Sequence, residues 1–325
     1  MIDIPPVRGA RNKIIVVGAG SIGQRHAANL ARLGADISVS DVNEILLKKV
    51  CAENSWAPVL DLDYALNTGV YDAAIICTPN HLHIPYAQKA ADAGLHLFVE
   101  KPLSHNRQGI DTLLREVRRK NLVGMAGFML RHEPGLQYIK KTLLPGNVAF
   151  VQVESGSHMP SWRPETDYRK TYSANRSMGG GIILDDVHEI DYACWLFGYP
   201  SEVRCLYGRF SNFQIDVEDT AEFQFLYPDK LVTIHSDYLQ RRYSRRCKIC
   251  MKDGNTLEWI FGEHVIAYID DHEEVFVYKD SFAVNDLYLA EMREFLACLE
   301  QHRDPESSLE NAVKILDIAL TAKGE

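Results

Sequence analysis

Glycines at 18, 20 and 23 stand between a short run of Ile and Val, Lys13–Val17, and an amphipathic stretch, Ser21–Leu33. The run reads as a buried parallel strand. Ile22, Ala27, Leu30 and Leu33 recur at helical spacing, and Gly34 is a helix stop. Ile37 and Val39 carry a second strand, and Asp41 follows 18 positions after Gly23. Strand, G-x-G-x-x-G, helix, strand, acid is a dinucleotide-binding βαβ unit. The first glycine permits a tight turn, the second admits a pyrophosphate, and the third lets helix and strand pack closely. Gly18, Gly20, Ser21, Ile22 and Gly23 are therefore the expected phosphate contacts. Asp41 can accept from a ribose diol and would repel a 2′-phosphate, and neither Val42 nor Asn43 adds a compensating charge. The expected cofactor is NAD rather than NADP.

A chain of 325 residues has room for two cores. Its net charge of −9 argues against general nucleic-acid binding. No apolar run reaches the ~18–20 residues that span a bilayer. The opening MIDIPPVRGARNK lacks the apolar stretch of a signal peptide and reads as an irregular arm, so a cytoplasmic location is expected. Seven scattered cysteines suit a reduced compartment. Cys247 and Cys250 form a lone C-x-x-C whose members point to opposite faces of a strand, so no metal is expected.

Further along, strands are expected at Tyr71–Cys77, Leu95–Val99 and Leu122–Ala126, with helices at Glu44–Asn54, His83–Ala93 and Arg107–Lys120. Pro58–Leu66 reads as a connection with a small helix. This alternation predicts a doubly wound parallel sheet, a Rossmann domain over 1–126. The period then changes. A helix at Pro134–Leu144 and a strand at Ala149–Ser155 precede a long polar-aromatic loop, and Ile182–Phe197 is apolar at helical spacing. From Glu202 seven runs alternate in period two, with turn signals between them, and two helices finish the chain. Residues 127–325 are thus expected to form an α+β domain with a large, mainly antiparallel sheet. Its C-terminal helix is free to pack back on the first domain.

Ligands of open α/β sheets bind at the carboxyl ends of the strands. Those ends hold Thr78-Pro79-Asn80 and Glu100-Lys101-Pro102, and a lysine there faces the nicotinamide end of a bound cofactor. In the second half, Asp185 and His188 are three apart and share a face on a continuous helix. A carboxylate beside an imidazole can orient it as a general base. Arg131, Trp162, Arg163, Tyr168, Arg169, Tyr172 and Arg176 suit a polyol or an acidic sugar; the salt-bridge reading of the arginines stays open.

The motifs GAGSIGQRHA at 18–27, TPNHLH at 78–83, EKP at 100–102, GFMLRHEP at 127–134 and GGGIILDDVHEIDYACWLFG at 179–198 occur in this order along nearly the whole chain. In them the sequence resembles the Gfo/Idh/MocA oxidoreductases. The resemblance implies that Lys101 is the catalytic lysine and that Asp185 and His188 are the acid and histidine. Many members separate that pair by four positions rather than three, and Asp186 is the alternative acid. It also implies cofactor contacts from Thr78, Pro79 and His83, with Asn80 and Glu100 as contacts or as supports behind them. An open-faced second sheet for substrate binding and oligomerisation, and a homodimer or homotetramer, are implied as well. The implied reaction moves a hydride between nicotinamide and a secondary alcohol or ketone of a sugar or polyol. His188 takes the hydroxyl proton and Lys101 stabilises the oxygen. The alternatives are an NAD-dependent glycoside hydrolase and a non-catalytic cofactor-binding sensor. Partners beyond a small carbohydrate, such as nucleic acid or membrane, are not expected.

Overall fold

The computed structural model describes residues 12–270 and 272–324. The expected N-terminal arm up to residue 11, and Asp271 of the turn read at 270–271, lie outside them. The chain divides into two compact units. One runs to Gly127 and adds Tyr288–Val313; the other holds Phe128–Leu287 and the chain from Lys314 on.

The first unit contains β1 (Lys13–Val17), α1 (Ser21–Arg32), β2 (Asp36–Ser40), α2 (Glu44–Asn54), β3 (Ala57–Val59), α3 (Leu62–Leu66), β4 (Ala73–Ile76), α4 (His83–Asp92), β5 (His96–Val99), α5 (Ile110–Arg119) and β6 (Gly124–Ala126). Its six strands are parallel in the order β3-β2-β1-β4-β5-β6. The order reverses between β1 and β4, and that switch is where a ligand crevice opens in such sheets. β3 falls within the stretch read as a connection. Three residues carrying a proline give no alternating signal, and pairing with β2 makes the strand. Ile14, Val16, Ala73, Ile75 and Phe98 fill the core at 0% exposure. Met292, Phe295 and Cys298 from the late part of the chain complete it.

The second unit contains α6 (Pro134–Thr142), β7 (Val148–Gly156), α7 (Ile182–Asp185), α8 (Val187–Phe197), β8 (Glu202–Gly208), β9 (Thr220–Leu226), β10 (Leu231–Asp237), β11 (Ser244–Met251), β12 (Thr256–Ile260), β13 (His264–Ile269) and β14 (His272–Val277). The last helices, α9 (Val284–Gln301) and α10 (Leu309–Lys323), follow. The sheet order is β14-β13-β12-β11-β7-β10-β9-β8, antiparallel except where β7 and β10 run parallel. Inward residues such as Val151, Val153, Ile234, Ile249 and Trp259 are buried. α6 packs on β12 and β13, and α8 on β10. The other face carries Ile260, Tyr268, Val275 and Val277, between 37% and 62% exposed.

At the end of β10 an imidazole sits between two carboxylates. Nδ1 of His235 is 2.5 Å from Glu222 Oε1, and Nε2 is 2.9 Å from Asp237 Oδ2. The Asp237 hydrogen bond outweighs the opposing effect of burial and, with Glu222, pushes the His235 pKa to about 9. A folded pKa raised above its unfolded value of about 6.5 stabilises fully below that pH, and the gain is lost as pH climbs to the folded value. The melting temperature should therefore fall between pH 6.5 and 9 more steeply in the wild type than in His235→Gln. Equal slopes would remove the cluster from the pH dependence.

Candidate active site

Gly18 has φ +108°, and a Cβ there would lie 2.5 Å from the Cys77 carbonyl oxygen. A Cβ on Gly23 would sit 1.9 Å from the Gly18 oxygen, so turn and helix touch backbone to backbone. Gly20 has nothing within 4 Å of the same position, which leaves open space at the start of α1. No side chain caps that helix. An uncapped helix start beside open space is the donor set a pyrophosphate needs. Asp41 Oδ2 accepts the Ala19 N–H at 2.6 Å and Oδ1 accepts the Asn43 N–H at 2.7 Å. The carboxylate is thereby fixed against the glycine turn, and its remaining lone pairs can take ribose hydroxyls. Val42 and Ile45 beside it are 91% and 85% exposed, apolar surface of the kind an adenine covers. These residues fit NAD. Asp41→Ala should weaken NAD binding and narrow its advantage over NADP, measured by titrating each nucleotide; an unchanged ratio would show that Asp41 does not read the ribose.

At the ends of β4 and β5 the structure ties the expected residues together. His83, expected among the cofactor contacts, is 1% exposed. Its Nδ1 is 2.8 Å from the Pro102 carbonyl oxygen and its Nε2 2.8 Å from that of Thr78. It braces the two strand-end loops. Asn80 is likewise buried, whereas Thr78 and Pro79 are accessible. Glu100 also turns inward. Its Oε1 lies 2.6 Å from Nε2 of the wholly buried His26, and its Oε2 accepts the Lys101 N–H at 3.0 Å. Burial would raise this carboxyl, but the His26 hydrogen bond and the charges of His26 and Lys101 hold it below the usual range. Glu100 is thus an ionised anchor for the backbone of half-buried Lys101. His26, on α1, belongs to GQRHA, a motif read only for its glycines.

In the second unit the expected continuous helix is broken. α7 ends at Asp185 and α8 starts at Val187, with Asp186 at φ −93°, ψ 26° between them. The successive acids are drawn to different partners. Asp185 Oδ2 accepts the Tyr238 hydroxyl at 2.6 Å, while Asp186 Oδ1 lies 3.7 Å from Arg245 Nη2. Burial raises Tyr238 well above its ordinary value, so it remains a donor. His188, at 6% exposure, meets Phe128 edge-on at 6.1 Å between ring centroids.

Trp162, Arg163 and Tyr172 come together with Met159 and Tyr168 around a small crevice of about 40 Å³. Trp162 lies edge-on to Tyr238 at 5.2 Å, which links this crevice to Asp185. Three arginines expected at the substrate do not line it. Arg131 is turned into a two-pronged pair with Asp191, Nη2–Oδ1 2.7 Å and Nε–Oδ2 3.0 Å. Arg176 is exposed and holds Asp216 through its N–H at 2.8 Å. Arg169 pairs with Asp167 at 2.8 Å. Tyr238 carries no sequence signal, since it sits in an alternating strand run. Arg245, with Arg241, Arg242 and Arg246, reads from sequence as an interface or solvated edge; the structure instead turns the Arg245 side chain inward, 9% exposed against Glu189.

The Oxidoreductase family model with an NAD-binding Rossmann fold matches residues 12–128, and the Gfo/Idh/MocA C-terminal domain model matches 145–256. The chain belongs to the Gfo/Idh/MocA family. Its first unit is an NAD-binding Rossmann domain of an oxidoreductase. An uncharacterised oxidoreductase of Bacillus subtilis is 27% identical over 202 residues, covering 60% of this chain and 55% of that protein. The levoglucosan dehydrogenase of Pseudarthrobacter phenanthrenivorans is 32% identical over 133 residues, 40% of this chain and 34% of its own. The chain thus matches about half or less of these two relatives. The myo-inositol 2-dehydrogenase of Thermotoga maritima is 24% identical over 96% of this chain and 95% of its own. The solved UDP-N-acetylglucosamine 3-dehydrogenase of Acidithiobacillus ferrooxidans superposes with a TM-score of 0.83 at 22% identity, covering 97% of this chain and 98% of that one. At that identity the superposition carries the fold. Among the described residues no helix is long and apolar enough to cross a membrane, and no His/Cys/Asp/Glu group could hold a metal.

Proposed function

We propose that the chain interconverts a secondary alcohol and a ketone on a sugar, a polyol or a close derivative, with NAD as redox partner. The observation that carries this reading is the setting of Lys101. A lysine follows β5 on a backbone pinned by a buried carboxylate, at the end of the sheet where a nicotinamide binds. Bound NAD supplies the two-electron acceptor. His188 takes the proton of the reacting hydroxyl, with Asp185 orienting it, and Lys101 donates to the same oxygen as charge develops there. Trp162 and Tyr172 offer flat apolar surface and Arg163 a permanent cation, groups whose chemistry suits a hydroxylated ring. The names of the relatives set the panel: NADH formation with myo-inositol, levoglucosan and UDP-N-acetylglucosamine. Turnover of one or more is expected; reduction of NAD by none of these or of a wider set of sugars and polyols would overturn the reading.

A cytoplasmic setting fits the cysteines, all of which are unpaired thiols. The chain is further read as a homo-oligomer through the uncovered sheet face, where Ile260, Tyr268, Val275 and Val277 form a stripe that water alone would cover poorly. Light scattering should give a dimer or tetramer, and Val275→Asp with Val277→Asp should yield monomers. A wild-type monomer at micromolar concentration would remove this reading.

A further inference from the structure

Arg245 lies on β11, where the inward positions that follow, Cys247 and Ile249, are apolar and buried. An arginine in that stripe is costly unless its charge is met. Its guanidinium is met by α8 and the residue before it. Nε is 2.7 Å from Glu189 Oε1, Nη2 is 3.4 Å from Glu189 Oε2, and Nη2 is 3.7 Å from Asp186 Oδ1. Glu189 is 0% exposed and the Arg245 side chain 9%. The rings of Tyr243 and Phe261 flank the cation at 5.9 and 5.8 Å.

The residues gripped are the two ends of one tight turn. The Glu189 N–H donates to the Asp186 carbonyl at 3.0 Å, closing a loop whose interior residues are Val187 and His188. One guanidinium therefore holds both termini of the turn that presents the imidazole, and holds them to the sheet. The helix break at Asp186 removes the continuous i→i+4 ladder that would otherwise fix His188 along α7 and α8. A side-chain clamp replaces it.

We propose that Arg245, through Asp186 and Glu189, is a positioning residue for His188. The inference rests on His188 being the base. Rigid placement matters because a proton acceptor displaced by about 1 Å loses on the order of 10²-fold in rate.

The test uses the full chain with NAD and whichever of myo-inositol, levoglucosan or UDP-N-acetylglucosamine the wild type oxidises. It compares His188→Ala, Arg245→Met and the pair Arg245→Met with Glu189→Leu. The single Arg245 variant strands a buried carboxylate and should lose stability and activity together. The pair removes both charges, and an apolar replacement of a buried ion pair often restores stability. If the clamp positions His188, the pair should melt near the wild type, bind NAD normally and still have kcat reduced by about 10-fold or more. A crystal structure of the pair should show the His188 ring displaced from its edge-on contact with Phe128, a readout that needs no substrate. Recovery of kcat along with stability, or an unmoved ring, would overturn the proposal. If the pair fails to fold, Arg245→Lys keeps the charge but loses the fork, and wild-type kcat there overturns it equally. Near-normal turnover in His188→Ala would instead strike the proposed reaction itself.

Discussion

Lys101→Ala and His188→Ala should each lower kcat by at least ~10²-fold while NAD affinity stays near that of the wild type. The two are expected to fail for different reasons. Loss of His188 leaves the hydroxyl proton without an acceptor. Loss of Lys101 leaves the developing negative charge on oxygen without a donor aimed at it. Neither side chain forms the glycine turn or holds Asp41, so nucleotide titration should hardly respond. Because both would act on one oxygen in one step, the double variant should lie close to the worse single one, well short of the product of the two losses. Near-normal turnover in both single variants would remove this mechanism; a large loss in NAD affinity would mean that they serve the cofactor and not the chemistry.

The sequence makes such an assignment reachable because the first unit is organised by local rules. Gly23 and Asp41 are each dictated by a contact within about thirty residues and Gly18 by its turn at φ +108°, and at Gly23 the structure finds backbone against backbone where a side chain would collide. In the polar-aromatic loop Trp162, Arg163 and Tyr172 line one small crevice, a proximity that residue type alone suggests. What escaped were decisions taken by distant partners. Periodicity makes Ile182–Phe197 one helix, yet the structure ends it at Asp185 and restarts it at Val187, where Asp185 meets Tyr238 and Asp186 meets Arg245, each more than fifty positions away. Glu100 and His83 enter the expected site through the resemblance, Glu100 as a contact or a support behind one. Burial turned them into braces, with His26 as the unread partner. Arg131 was read by residue type as a substrate contact, and only the fold reveals its acid.

That acid gives the second large expectation, this one in stability. Asp191 is 0% exposed and the Arg131 side chain 6%, with two close contacts between them and the Phe128 ring 5.7 Å from the guanidinium. Breaking a buried pair from one side leaves an uncompensated charge in a place water does not reach, a penalty of about 3–5 kcal/mol. For a domain of this size that lowers the melting temperature by roughly 6–20 °C. Asp191→Ala and Arg131→Met should both show it. Replacing the two together, Arg131→Met with Asp191→Leu, should recover most of the loss, since the pair is expensive to break and cheap to exchange for matched apolar volume. Melting of Asp191→Ala within about 2 °C of the wild type would mean that water reaches the guanidinium after all. The same measurement bears on α8 from the side opposite the break: Asp191 lies three residues beyond His188, so a variant that keeps its fold but loosens this pair should also lose turnover.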